Sequence, residues 1–372
     1  MASEIPDPGS FRASSQRDDS TKGTNEAPWF DEDRQAWVLN RYADVVAAFR
    51  CPHLLPGGAR PKPSSNSSDQ ARSRKLRAQT RVALSPEELR VWREQLSGVA
   101  DLLAGKLPAE RPLDIEASFA QPLCLALAAI VTGIDPGDAE NLCAIARPIS
   151  DSVADPFDEE LKARAKAATE ELRPWFPSGP ELLRDSGFVA LAHTLPRLLA
   201  NAWAAILLNT TRWAHLHHQP SQIECGIEEL LRHAGLPRIL FRTAVQDVEL
   251  NGVLIRSGEQ IVLDVHKANR DPDQFSQANE IDLTRQPNQH LAFGAGLHSC
   301  VGAGLIRMAC VTITAPLLKC FSGAVLVKEI EWRGGTVFRF PDSLWVVLHK
   351  EGAQTERPRR VSNGRIKPVV RQ

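Results

Sequence analysis

The ten residues from Phe293 to Gly302, FGAGLHSCVG, set an imidazole (His298) and a thiol (Cys300) on a loop with glycines at 294, 296 and 302. Glycines let a backbone turn sharply and pass close to another group. A structural cysteine packs inside an apolar element as a small hydrophobe. Cys300 instead precedes a helical apolar run, Val301 to about Phe321, whose N-terminal N–H groups and dipole would favour a thiolate. That chemistry suits a nucleophile or a metal ligand. None of the seven cysteines forms a CxxC pair, so a ligand here would serve a cofactor that brings its own other donors, as haem does. Glu229 and Arg232, three apart in IEELLRHAG, make a second candidate pair; spacing alone reads it as a helix-surface ion pair. The other six cysteines read as core, and His215, His217 and His218 as solvated.

The elements that must position these residues follow from periodicity and turn signals. AWVLNRYADVVAAFR reads as a strand (Trp37, Val38, Leu39) and then a helix from Tyr42. Helical blocks are expected at about 70–83, 86–106 and 115–132, the second opened by a Ser cap and a first-turn proline. A segment from about Pro196 to His215 is apolar nearly all round and reads as a helix through the middle of the molecule. From Thr243 the pattern alternates around Asn251-Gly252 and Ser257-Gly258, as β-hairpins do, and VFRFPDSLWVVLH is again strand. The chain thus reads as mainly α with a small β region in a single large domain, 28–349. It is flanked by a polar segment, 1–27, expected to be disordered, and a basic tail, 350–372. The formal net charge of −1 gives no global field toward nucleic acid. No uninterrupted apolar run is of spanning length, so a cytoplasmic protein without membrane contact is expected.

The loop FGAGLHSCVG matches the haem-thiolate loop of the cytochrome P-450 family, FGxGxHxCxG, at every defined position. Glu229-Leu230-Leu231-Arg232 is similar to that family's ExxR pair, and IDLTR supplies Arg285, similar to the arginine that completes its network. RTAVQDVELNGVLIRSGEQIVLD resembles the bacterial members' sheet, with Arg242 where they place a propionate-binding arginine. In order, the resemblance covers roughly residues 29–349. It implies the cytochrome P-450 fold and haem b (iron protoporphyrin IX). Cys300 would be the iron ligand, His298 and Arg242 would bind propionates, and Phe293 would shield the sulfur beside Gly294 and Gly296. Glu229, Arg232 and Arg285 would form a buried network shaping the loop. It also implies a small-molecule substrate and an external ferredoxin or flavoprotein reductase as electron donor.

Several features depart from the family pattern. The family's central helix carries a small residue, a glycine, an acid and a threonine over the haem. Counting back from HLHHQP places the equivalent stretch at Ala200, Asn201, Trp203 and Ala204, with Leu199, Ala205 or Ile206 brought in by small shifts. None is an acid or alcohol, so the proton relay is expected to be missing and the reaction to differ from simple hydroxylation. The propionate-binding histidine before the third helix is not evident; Arg74 and Arg77 are the basic candidates. Segments around 56–72 and PWFPSGP, which line the family's substrate pocket, are abbreviated. These departures admit a second expectation, a non-catalytic relative that binds and stabilises a partner biosynthetic enzyme. The intact cysteine loop favours the first: a haem-thiolate monooxygenase tailoring a metabolite of specialised metabolism.

Overall fold

A computed structural model describes residues 27–57, 67–176, 179–180 and 183–351. The polar N-terminal segment, the tail from 352 and most of the 56–72 loop lie outside the described residues. The helices are α1 (Tyr42–Arg50), α2 (Ser67–Ala83), α3 (Pro86–Lys106), α4 (Gln121–Thr132), α5 (Pro136–Ala154), α6 (Glu159–Leu172), α7 (Asp185–Val189), α8 (Leu195–Leu207), α9 (Thr210–His218), α10 (Ile223–Ala234), α11 (Val265–Ala268) and α12 (Ala303–Cys320). A five-stranded sheet has the order β1 (Trp29–Asp31), β2 (Ala36–Leu39), β8 (Gln260–Asp264), β5 (Ile239–Ala244), β3 (Leu54–Pro56). A three-stranded sheet joins β4 (Pro112–Asp114), β12 (Trp345–His349) and β9 (Gly323–Leu326). Two hairpins complete the β structure: β6 (Val248–Leu250) with β7 (Val253–Ile255), and β10 (Trp332–Gly334) with β11 (Arg339–Pro341).

Local chemistry explains most boundaries. Ser85 accepts from the Glu88 N–H and Pro86 occupies the first turn of α3, which satisfies an orphan donor with a pre-set φ. Asp135 caps α5 in the same way through Gly137. α4 ends on Gly133 at φ +73°, the left-handed closure that lacks a Cβ penalty in glycine. Within the five-stranded sheet only β2 and β8 run parallel, with Val38 opposite Val262. Their side chains feed two apolar clusters, one under the sheet and one that fills the helical body.

The apolar block expected at Pro196–His215 is two helices. α8 ends at Leu207, and Asn209 caps α9 by accepting from the Thr211 N–H. Ahead of α8, α7 and a π-helical turn, Ala190–Thr194, continue the same rod, so the central helix begins about three turns earlier than periodicity suggests. Pro196 begins α8 inside this rod, and having no N–H it cannot bond Ala192 O four residues back; Gln121 Nε2 takes that carbonyl at 2.9 Å instead. α12 is, by length and composition, apolar enough to cross a membrane; 56% of it is buried inside the fold, where it packs against α3 and α10.

Candidate functional site

The Cys300 loop is pinned from three sides. The Cys300 N–H donates to Phe293 O at 2.7 Å, closing the loop on itself. Gly294 and Gly296 adopt φ of +66° and +69°. A Cβ on Gly296 would come within 2.6 Å of Phe49 O in α1, so both conformation and close approach require glycine there. Tyr42 Oη donates to Gln289 O at 2.6 Å, and the Leu291 N–H donates to Asn269 Oδ1 at 2.7 Å.

Asn269 links the loop to a buried network. Arg232 Nη1 donates to Asn269 O at 2.6 Å and to Ala278 O at 2.7 Å. Its Nε and Nη2 grip both oxygens of Glu229 at 2.8 Å. Arg285 Nε adds contacts of 3.1–3.2 Å to the same carboxylate, and the Asp282 N–H and Asn288 Nδ2 complete its acceptor sites. Burial would raise the Glu229 pKa; the Arg232 hydrogen bonds, the Asp282 N–H and the two guanidinium charges outweigh it and hold the group below the usual range. Spacing alone suggested a surface pair for Glu229 and Arg232. Both side chains are fully buried, because the third charge and the backbone carbonyls satisfy what a lone pair would leave unmet.

Around the loop mouth, Arg77, Arg242 and His298 converge. Arg77 of α2 donates to Ser299 O, while its Nε is buried without a hydrogen-bond partner. Arg242 of β5 is buried; it reaches its neighbour's Phe241 O at 2.8 Å and lies 5.2 Å over the Phe49 ring. Desolvation lowers its pKa to about 10. Desolvation, then the charges of Arg242 and Arg77, lower the His298 pKa. No carboxylate pairs with Arg77, Arg242 or His298 among the described residues, so three cationic or proton-donating groups face one space. Of the two basic candidates in α2, Arg77 reaches the loop and Arg74 stays exposed on the helix surface.

The sulfur departs from expectation. The helix N-terminus was expected to favour a thiolate, and the Gly302 N–H, Arg77 and Arg307 do act in that direction. Burial is nevertheless the larger effect and pushes the Cys300 thiol upward. Although the residue carries exposed surface, the sulfur sits in a desolvated cradle. Among the described residues no cluster of three metal-ligating side chains exists. A cofactor with its own equatorial donors and two carboxylates fits this donor set: one thiol, no cluster of protein co-ligands among the described residues, two guanidiniums and an imidazole without a carboxylate partner, and a loop whose glycines permit close backbone approach. Haem has those properties.

Sequence reasoning missed a supporting triad beside the loop. Glu228, adjacent to Glu229, accepts from Arg307 Nε at 2.7 Å and pairs with His290 Nε2 at 3.1 Å. Burial opposes its ionisation, but these hydrogen bonds prevail and lower its pKa to about 2. Arg307 lies 4.7 Å over the Phe293 ring, fixing that side chain beside the loop. The consecutive glutamates were the available signal.

The distal candidates need correction. Ala200 and Ala204 are fully buried in packing, Trp203 Nε1 donates to Thr314 Oγ1 at 3.1 Å, and Asn201 Nδ2 donates to Arg339 O at 2.8 Å. Ala200, Trp203 and Ala204 are committed to the protein interior, and the Asn201 amide nitrogen is tied to the Arg339 backbone. From Gly187 to Leu207 every residue is buried except Ala190 and Thr194. These lie four apart on one face of the π-helical turn, a rare irregularity frequently found at functional sites. Gln121 Nε2 satisfies Ala192 O there at 2.9 Å, and His193 Nε2 contacts Cys143 O at 2.8 Å, away from that face.

A family model for cytochrome P-450 matches residues 223–331, the stretch that holds the Glu229 network and the Cys300 loop. Similarity to curated proteins extends far beyond that stretch. Nocardicin C N-oxygenase of Nocardia uniformis subsp. tsuyamanensis is 29% identical, covering 83% of this chain and 88% of its own length. Mycinamicin IV hydroxylase/epoxidase of Micromonospora griseorubida is 27% identical, covering 84% and 89%. This chain belongs to the cytochrome P-450 family. The P-450 fold also matches solved structures. The LnmA cytochrome P-450 hydroxylase of the leinamycin pathway of Streptomyces atroolivaceus aligns with a TM-score of 0.70 at 27% identity, over 84% of this chain and 90% of that one. The bacillaene polyketide synthase cytochrome P-450 PksS of Bacillus subtilis aligns with a TM-score of 0.75 at 22% identity, over 93% and 98%. The chain is accordingly an enzyme of the P-450 monooxygenase type, and haem is the cofactor of its family.

Proposed function

We propose that this P-450 oxidises a small metabolite of specialised metabolism, with haem b held by Cys300 and electrons supplied by a separate ferredoxin or flavoprotein reductase. The observation that carries the reading is the convergence of Arg77, Arg242 and His298 on the mouth of the cysteine loop. Three proton donors with no carboxylate of their own suit two propionates, and charge-assisted bonds to them would anchor the ring. Thiolate-ligated haem supplies oxygen activation when bound. Arg307 holds Phe293 against the loop, which keeps water from the sulfur. The Glu229 network fixes the backbone that presents it.

On the opposite face, the turn Ala190-Leu191-Ala192-His193-Thr194 takes the place of the family's small–glycine–x–acid–threonine segment. Leucine replaces the glycine, histidine replaces the acid, and the threonine is kept. Thr194, on the partly exposed face, is the hydroxyl that orders water and passes a proton. His193 does not serve as the acid. Desolvation lowers its pKa to about 4, so it is neutral near pH 7, and its ring is tied to Cys143 O in α5. Proton supply therefore runs through Thr194 and solvent. The intact proximal network supports an active enzyme over a non-catalytic scaffold, and cytoplasmic residence accords with a reductase partner there.

The reading is tested by oxygen uptake of the haem-loaded chain supplied with a ferredoxin and its reductase. Uptake above a free-haem control that disappears in Cys300→Ser supports it. Uptake equal in the two proteins, or absent from both, overturns it.

A further inference from the structure

A cavity of about 260 Å³ lies where α8, the end of α10 and the β10–β11 hairpin meet. Its walls carry Arg212, Arg238, Arg270 and Arg339 together with His233 and His266, and no aspartate or glutamate lines it. Arg212, Arg238 and Arg270 make no ion pair among the described residues. Arg270 is spent on backbone, donating to His233 O and to His266 O, and Arg212 donates to Ala205 O at 2.8 Å. The Arg339 guanidinium lies 4.7 Å over the Trp332 ring.

The acids nearest by do not compensate this charge. Asp264 reaches Arg238 and Arg270 electrostatically, but burial raises its pKa and the Lys267 N–H already occupies one oxygen. Glu280 acts on Arg212 from outside the walls, and Glu229 is saturated by Arg232 and Arg285. Desolvation first, then the neighbouring arginines, drive the pKa of His233 to about 4 and of His266 to about 2; Arg270 falls to about 10. Clustering like charges in a desolvated space without an anion is unfavourable.

An independent feature points to the same space. Asn201 lines the cavity, is buried, and donates Nδ2 to Arg339 O, yet its Oδ1 is buried with no hydrogen-bond partner. An acceptor left unmet in a cavity walled by Arg212, Arg238 and Arg270 calls for a ligand that is anionic and also carries a donor hydrogen. Asn201 is seven residues from Thr194 on the same helix, about 10 Å along its axis, so the cavity is displaced from the distal window.

We propose that this cavity is a binding site for a phosphate-type anion bearing a hydroxyl, either hydrogen phosphate itself or the phosphate monoester of a small polyol. The guanidiniums would take the phosphate oxygens through their paired N–H groups, and the ligand's O–H would donate to Asn201 Oδ1. Leu208, 66% exposed, and Trp332, 41% exposed, stand at the rim, leaving a path for entry.

The test is calorimetric titration of the haem-loaded full chain with inorganic phosphate, and separately with ribose 5-phosphate, at constant ionic strength. Saturable binding of either supports the site, and the tighter of the two identifies the source as free anion or phosphorylated metabolite. The double variant Arg212→Gln/Arg238→Gln should weaken binding by about tenfold or more. Leu208→Glu changes an exposed residue, so folding is not at risk, and it places a competing carboxylate at the rim; it should weaken binding similarly. Arg90→Gln on the far surface of α3 should leave the affinity unchanged. Absence of saturable binding, equal affinity in Leu208→Glu and the parent, or a phosphate-induced shift of the haem absorption band would overturn the proposal.

Discussion

At the scale of single residues, the geometry of the cysteine loop was legible and the packing of the central helix was not. The cysteine loop encodes its geometry locally: glycines at two left-handed positions, a histidine and a cysteine fixed by sequence spacing. Gly296→Ala should therefore be disruptive, since it combines a left-handed φ with a contact of 2.6 Å to Phe49 O. A stability loss of about 1–3 kcal/mol and reduced haem occupancy are expected, read by thermal unfolding and by the ratio of haem to protein absorbance. Arg77 could be told from Arg74 only in three dimensions, because one turn of helix decides which arginine meets Ser299. The distal residues were misplaced because an alanine- and leucine-rich segment offers no glycine or acid to set the register. The helix break at Leu208-Asn209 and the π-helical turn, which leaves Ala190 and Thr194 partly exposed, could not be read from periodicity, and the window proposed above rests on them. If Thr194 passes the proton, Thr194→Val should lower product formed per electron pair by about 100-fold, with Thr194→Ser retaining most of it. His193→Gln, whose side chain can still reach Cys143 O, should stay within about threefold of the parent, measured as product against reductant consumed.

At the scale of elements, spacing identified Glu229 and Arg232 on a helix but not their burial. Burial depends on Arg285, Asn269 and Asn288, which arrive from segments 37 to 59 residues away. Removing one member leaves the others uncompensated. Glu229→Gln should destabilise the fold by about 3–5 kcal/mol and release haem, read by denaturant unfolding followed at the haem band. A contrasting case is Glu116, in the π-helical turn that precedes α4. Its Oε2 is buried without a partner. Burial, then the charge of Asp114, raise its pKa from 4.5 to about 7 against the pull of Arg197. A raised folded-state pKa means the cost of ionisation is felt above about pH 7 and fades as pH falls toward 4.5. Glu116→Gln should therefore raise stability by up to about 3 kcal/mol near pH 8 and change little near pH 5. No motif marks Glu116; its environment is assembled from Asp114, Arg197 and Asp342.

At the scale of the whole molecule, the mainly α architecture followed from helical periodicity and the alternating strands after Thr243. The sheet order and the meeting of α8 with the β10–β11 hairpin did not, because such contacts join residues more than a hundred positions apart. Three histidines, buried His193 and half-buried His233 and His266, have pKa values lowered by desolvation from 6.5 to about 4, 4 and 2. The unfolded chain therefore binds protons that the native state refuses. Stability should fall as pH drops from about 6.5 toward 4, with the slope set by that proton difference, and a pH series of thermal unfolding midpoints checks it. The central claim is that Cys300 ligates haem iron as a thiolate within the cradle of Arg77, Arg242 and His298. It is tested most directly by the absorption spectrum of the haem-loaded, reduced, carbon-monoxide-bound protein beside that of Cys300→Ser. The account predicts the strongly red-shifted thiolate band in the parent and its loss in the variant. A parent spectrum of the unshifted kind given by histidine-ligated haem, or one unchanged in Cys300→Ser, would contradict it.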